Sequence, residues 1–275
     1  MKNWAKFFLL AMVTACSGKA DSDGLGETGD TGDVSYPSTY ESGNYRMVRF
    51  SLLPTEEGLD VTGDDVIDNK LPAILPIVDA LTSDDMSADG LNASIEEGLT
   101  TEGLILLVSA AYADGLLTYD LLLGLLDADT GALGIDARSY DDAGDPQAQF
   151  TGAFEDETWM EVEAKEVQIP ITFDAGATVL EIPFTIARME GNLAETSEGI
   201  LGGVIPVDGL IEQVIDPLIP TGDDYDPANY NGMSREEFMV SIENLANLDN
   251  ISDVPLEDGR GISAAFSYEA EGAEF

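Results

Sequence analysis

Apolar and polar residues alternate first at Val48, Phe50 and Leu52, with Arg49 and Ser51 between them, the period-2 signature of a half-buried strand. Helical spacing follows in Leu71, Ile74, Leu75, Val78 and Leu81. Two apolar runs, Leu104 to Ala113 and Leu116 to Leu126, are joined by Asp114-Gly115. A hydropathy window would take residues 104 to 126 for a membrane span, but Asp114, Gly115 and Asp120 would lie inside it. Asp-Gly suits a two-residue type I′ turn, so the reading here is a hairpin of two buried strands.

A second hairpin has Val167, Ile169, Ile171 and Phe173 on one face of its first strand and Leu180, Ile182, Phe184 and Ile186 on one face of its second, with Gly176 in the loop. Pro170 and Pro183 take outward positions and imply an exposed edge or a bulge. Val207, Leu210, Ile211, Val214, Ile215 and Leu218 return to helical spacing, which Pro217 should end or kink. Ser234-Arg235-Glu236-Glu237 reads as a capping box opening a helix that carries Phe238, Ile242 and Leu245. Ile262, Ala264, Phe266 and Tyr268 alternate as a closing strand. The acidic stretch from Asp127 to Asp145 reads as a long loop, so residues 45–275 are expected to form one domain. Its class is α+β: strand-rich, a mainly antiparallel sheet or sandwich with two or three packed helices.

The first residues have a different pattern. Lys2 and Lys6 precede an uncharged apolar run, Phe7 to Val13, in the order of a secretory signal. The run is far shorter than the roughly 20 residues that cross a bilayer. It ends in Val13-Thr14-Ala15-Cys16, which resembles the lipobox of bacterial lipoprotein precursors. That resemblance implies a diacylglycerol on Cys16 and cleavage before it, with residues 1–15 as the signal. Cys16 is the single cysteine of the chain, so no disulfide is possible within it. Ser17 favours the outer membrane under the sorting rule of enteric lipoproteins. Residues 16–44, with their Thr-Gly-Asp repeat, read as a flexible acidic tether of about 30 Å average reach.

Charge narrows the partners. With 54 acidic residues against 11 basic ones and a net charge of −43, the surface repels nucleic acid and anionic headgroups and favours cations or a basic protein partner. A hydrophobic content of 44% nevertheless demands a packed core. The chain has no histidine, which removes Ser-His-Asp and Cys-His catalysis and imidazole-bound metals. Carboxylate chemistry and oxygen-bound hard cations remain.

Gly58 to Asn69 resembles the Asp-rich calcium loops of extracellular bacterial proteins. Asp60, Thr62, Asp64 and Asp68 stand at the oxygen-bearing positions and Ile67 at the apolar one. Asp65 replaces the usual glycine and Leu71 the bidentate glutamate, so any affinity should be weak. Asp224 to Gly232 and Asp253 to Gly259 look like further-decayed loops of the same kind. Glu161 and Glu163 share one strand face and are the candidates for a carboxylate-based glycan hydrolase, the alternative to a non-enzymatic structural or binding role. As a whole, the chain resembles uncharacterised bacterial lipoproteins with a lipobox, an acidic tether and a strand-rich domain, which implies the cell envelope as its location.

Overall fold

The structure, a computed structural model, describes residues 42–79, 87–113, 115–155, 159–173, 178–216, 219–246, 252–257 and 259–275. The domain is strand-rich and its strand pairs are all antiparallel. Eight strands follow one another round a closed circuit: β1 (Ser42–Leu52), β2 (Leu106–Ala113), β3 (Leu116–Leu126), β5 (Gln149–Phe154), β6 (Trp159–Phe173), β7 (Thr178–Leu193), β8 (Thr196–Pro206) and β10 (Gly259–Gly272). β10 closes the ring on β1, from Tyr45 opposite Gly272 to Leu52 opposite Phe266. The expected strand-rich, mainly antiparallel sheet is present, and it closes on itself as an up-and-down barrel rather than folding as a sandwich, an architecture that leaves no free edge along the circuit. Two short strands lie off the ring, β4 (Leu133–Ile135) beside β3 and β9 (Val254–Leu256) beside β10.

Both expected hairpins are present. Ala113 pairs with Leu116 across the Asp-Gly turn, where Gly115 has φ +83°, a conformation that side chains disfavour; residue 114 lies outside the described residues. Val167, Ile169, Ile182 and Phe184 face the core of the second hairpin, whose loop residues 174–177 lie outside the described residues, as do the side chains of Ile171, Phe173 and Leu180. Two strand positions break the expected alternation. Val48 is 47% exposed, because a register shift between Met47 and Arg49 turns it outward. Ile186 is 45% exposed with φ +55°, at a bulge between Thr185 and Arg188 where β7 meets β8. Pro183, expected at an outward position with an exposed edge or a bulge there, alternates with the inward Ile182 and Phe184 and is buried against Gly209, while the bulge lies just beyond it.

Strand directions put the β2–β3, β5–β6 and β7–β8 turns at one end of the barrel and the long connections at the other. Those connections carry four helical segments among the described residues: α1 (Leu71–Asp79), α2 (Ala88–Thr100), α3 (Val207–Gly209, continued by a π-helical stretch Leu210–Ile215) and α4 (Arg235–Ala246). Leu71, Ile74 and Leu75 of α1, Ile95 of α2, Leu210 and Ile215 of α3, and Phe238 and Ile242 of α4 join the same apolar cluster as the barrel interior. Leu81 and Pro217 lie outside the described residues, and so does the side chain of Val78. The capping box closes as read: Ser234 N donates to Glu237 Oε2 at 2.9 Å and Glu237 N to Ser234 Oγ at 3.3 Å.

The interior is filled. Phe50 stacks on Phe266 with ring centroids 4.8 Å apart, Phe184 meets Phe266 edge-on at 6.4 Å, and Tyr119 tilts against Tyr268 at 6.5 Å. Outside the wall, two smaller apolar clusters seat the long loops. Ile105, Leu107 and Leu122 pack under residues of the Asp127 to Asp145 region and its flanks, including Leu133, Ile135 and Tyr140. Leu59 and Val61 of the Asp60 loop pack on Val204 and Val254.

Candidate functional site

The Asp60 loop lies against the outer wall over β8 and β10, where small residues make room for it. A side chain at Gly202 would meet Leu59 and Val61 at 3.3 Å, and one at Gly58 would come within 3.0 Å of Ala265 Cβ. Asn69 anchors its base: the Asn69 amide donates to the carbonyls of Leu53, Pro54 and Glu57 at 2.8 to 3.0 Å, and its oxygen accepts from Ala265 N at 3.1 Å. Lys70 N then donates to Ser263 O at 2.9 Å.

Within the loop the four oxygen-bearing residues are held by their own backbone. Asp68 Oδ2 accepts from Val61 N, Thr62 N and Thr62 Oγ1 at 2.9 to 3.0 Å. Asp60 Oδ1 accepts from Gly63 N at 2.6 Å and Asp64 N at 3.2 Å, Asp60 Oδ2 from Asp65 N at 2.7 Å, and Asp64 Oδ1 from Val66 N at 3.0 Å. Burial alone would raise the Asp60 pKa, but the amides of Asp65, Gly63 and Asp64 outweigh it and hold it below the ordinary value. Asp68 goes the other way, raised by burial despite its bonds to Thr62 and Val61. Asp65 fills the glycine position with φ +66°. Ile67, expected to pin the loop to the core, is 48% exposed, and Leu59 and Val61 take that task. Among the described residues no group of three acidic side chains converges as a metal cage would require. Asp60 and Asp68 thus brace the loop by accepting its own backbone amides.

The two further acidic segments are local caps. Asp226 Oδ1 accepts from Ala228 N at 2.9 Å, and Asn231 takes a left-handed φ of +55° before Gly232. Asp253 accepts from both Ser263 N and Ser263 Oγ, tying the β9 segment to β10; Asp258 lies outside the described residues.

Glu161 and Glu163 both project from the outer face of β6, where they meet Arg188 of β7. Arg188 Nη2 pairs with Glu161 and also with Glu190 at 2.7 Å, Arg188 Nε lies 3.9 Å from Glu163, and Arg188 Nη1 donates to the Asp60 carbonyl at 3.4 Å. One guanidinium thus links three carboxylates to the Asp60 loop. Burial, with Glu161 and Glu163 adding to it, raises Glu190 above its ordinary pKa in spite of Arg188. Burial and a hydrogen bond to Glu161 likewise raise Glu155. Sequence reasoning passed over Arg188, although a lone cation among acidic strand residues is a legible signal in a chain with 11 basic residues.

Farther along the wall, Asn192 Nδ2 donates to Glu198 Oε1 at 3.0 Å while Glu198 N donates to Asn192 Oδ1 at 3.2 Å. Arg49 Nη1 pairs with Glu269 Oε1 at 2.5 Å. Trp159 borders these residues and is 39% exposed. Cys16, the expected lipidation site, lies outside the described residues. No protein-family model, no curated protein and no solved structure matches this chain.

Proposed function

We propose that the chain is a lipid-anchored protein of the bacterial cell envelope, held through Cys16 and displaying an acidic β-barrel on a tether as a non-enzymatic binding or structural domain. The observation that carries the reading is Val13-Thr14-Ala15-Cys16 at the end of a signal-like apolar run, with Cys16 as the single cysteine. The distribution of polarity supports it. Aromatic and aliphatic side chains fill the barrel, while Glu161, Glu163, Arg188, Glu190, Glu198 and Glu269 lie outside it, the reverse of a barrel that faces lipid. Acyl chains on Cys16 would then be the membrane attachment, each buried methylene contributing about 0.8 kcal/mol.

The hydrolase alternative draws little from this geometry. Two catalytic carboxylates should flank a cleft about 5 to 9 Å apart. Here Glu161 and Glu163 share a salt-bridging arginine on the outer face of the barrel wall.

Metabolic labelling with radioactive palmitate tests the anchor: label is expected on the wild type and absent from Cys16→Ser, and an unlabelled wild type would refute the reading. Calcium is proposed as no more than a weak stabiliser of the Asp60 loop. Thermal melts with calcium and with chelator are expected to differ slightly and to coincide in Asp60→Ala; coincident melts of the wild type end that part of the proposal.

A further inference from the structure

A groove of about 340 Å³ opens on the outer wall across β6, β7, β8, β10 and β1. Its polar residues form one row of directly opposed strand positions: Trp159 faces Asn192, Asn192 faces Glu198, Glu198 faces Glu269, and Glu269 faces Arg49. The row is arranged before any ligand arrives. Asn192 and Glu198 exchange two hydrogen bonds, and Arg49 is paired with Glu269. Just beneath, Gly191 and Gly199 face each other, pointing inward. A Cβ on Gly191 would fall 2.2 Å from the Glu198 carbonyl oxygen and one on Gly199 2.0 Å from that of Glu190. The absence of both side chains lets β7 and β8 approach closely beside the groove, which Gly199 also lines.

We propose that this groove binds a neutral sugar unit of a glycan, the C–H face of the pyranose ring lying on the exposed indole of Trp159 and its hydroxyls bonded to Asn192, Glu198 and Arg49. The proposal deepens the reading of the barrel as a binding domain and rests on it. Three features select this class of ligand. An indole supplies a flat apolar face with a polar edge, which suits a ring that is apolar on one side and hydroxylated at its rim. The row supplies carboxylate acceptors, a guanidinium donor and an amide that does both, matching hydroxyls that each donate and accept. The volume is at the small end of the roughly 300–1,000 Å³ of small-molecule sites.

Charge and topology exclude the obvious competitors. Two carboxylates against one guanidinium in the row, within a chain of net charge −43, repel uronic acids, phosphates and nucleotides. The wall at this point is a continuous stretch of sheet, so an extended peptide finds no strand edge to pair with.

Trp4 and Trp159 are the two tryptophans of the chain and Trp4 lies in the proposed signal, so in the mature protein, or in a full chain carrying Trp4→Phe, the tryptophan emission comes from Trp159. That protein is titrated with cellohexaose, maltohexaose, mannohexaose and chitohexaose. A saturable emission change is expected with at least one of them. Arg49→Ala and Asn192→Ala are each expected to weaken it about tenfold, the loss of one well-made hydrogen bond to a ligand. The Arg49 side chain is 61% exposed, so its variant should keep the wild-type circular dichroism spectrum. No saturable change with any of the four sugars overturns the proposal. So does a change that both substitutions leave untouched, or one elicited instead by polygalacturonate or an oligolysine peptide. Chromatography of the same mixtures should recover the oligosaccharides intact. Cleavage would overturn the non-enzymatic reading and leave the glycan site standing, whereas failed palmitate labelling of the wild type would overturn the anchor and leave the titration unaffected.

Discussion

Arg188 shows how one cation organises a surface that is otherwise acidic. Its side chain reaches Glu161, Glu163 and Glu190, and also the Asp60 carbonyl, so the strand wall and the loop over it share one charge. Compensation is incomplete at Glu190, where burial and the neighbouring Glu161 and Glu163 raise the pKa more than Arg188 lowers it. The folded state therefore binds the Glu190 proton more readily than the unfolded chain does. The stabilising contribution of that protonation is complete below the unfolded pKa and is lost as pH rises through the higher folded one. Melting curves between pH 7 and pH 4 should show the wild type gaining on Glu190→Gln as pH falls; a gap that stays constant or narrows in that direction would contradict this account. Asp60 has the opposite sign, since its folded pKa is lowered by loop amides and its contribution fades as pH falls.

At the scale of elements, the barrel depends on places where regular strands are interrupted. Val48 and Ile186 are apolar and β-branched, and a strict period of two puts both inside, yet each faces out at a register shift. Beyond the shift the inward set changes parity, from Met47 to Phe50 on β1 and from Phe184 to Ala187 on β7. Such shifts increase local twist, and closing an eight-stranded sheet requires strand tilt. The facing glycines do related work. Gly191→Ala would drive a methyl group onto a backbone oxygen that cannot rotate away, and it should lower unfolding free energy by about 2–3 kcal/mol in a denaturant titration. A loss under about 0.5 kcal/mol would mean that the two strands approach less closely there than described. α2 was absent from the sequence reading, although Leu91, Ile95 and Leu99 recur at helical spacing after Ser87, whose side chain accepts from Gly90 N at 3.0 Å as the N-cap. Its single fully buried position, Ile95, explains why the polar background concealed it.

For the whole molecule, apolar side chains pack inside the barrel and charged ones lie outside it among the described residues. The net charge of −43 also sets a general condition, because like charges on a compact body repel more strongly than on an expanded chain. Raising sodium chloride from about 0.02 to 0.5 M shortens the Debye length below typical spacings between surface charges and should increase the melting temperature. A fall with added salt would show that favourable pairs such as Arg188 with its glutamates outweigh the general repulsion.

Local chemistry was enough to read the two hairpins, the capping box and the closing strand, because each is specified by neighbours along the chain. The proposed lipobox likewise rests on four adjacent residues after an apolar run. Closure was not local: Tyr45 meets Gly272 across nearly the whole domain, and no pattern in either strand names the other as its partner. The same holds for Arg188 beneath Asp60 and for the row from Trp159 to Arg49, assembled from five strands that only the closed sheet brings side by side. Periodicity states which face of a strand is buried. Tertiary structure decides which strands lie next to each other, where a bulge reverses that face, and hence which side chains meet on the outer wall.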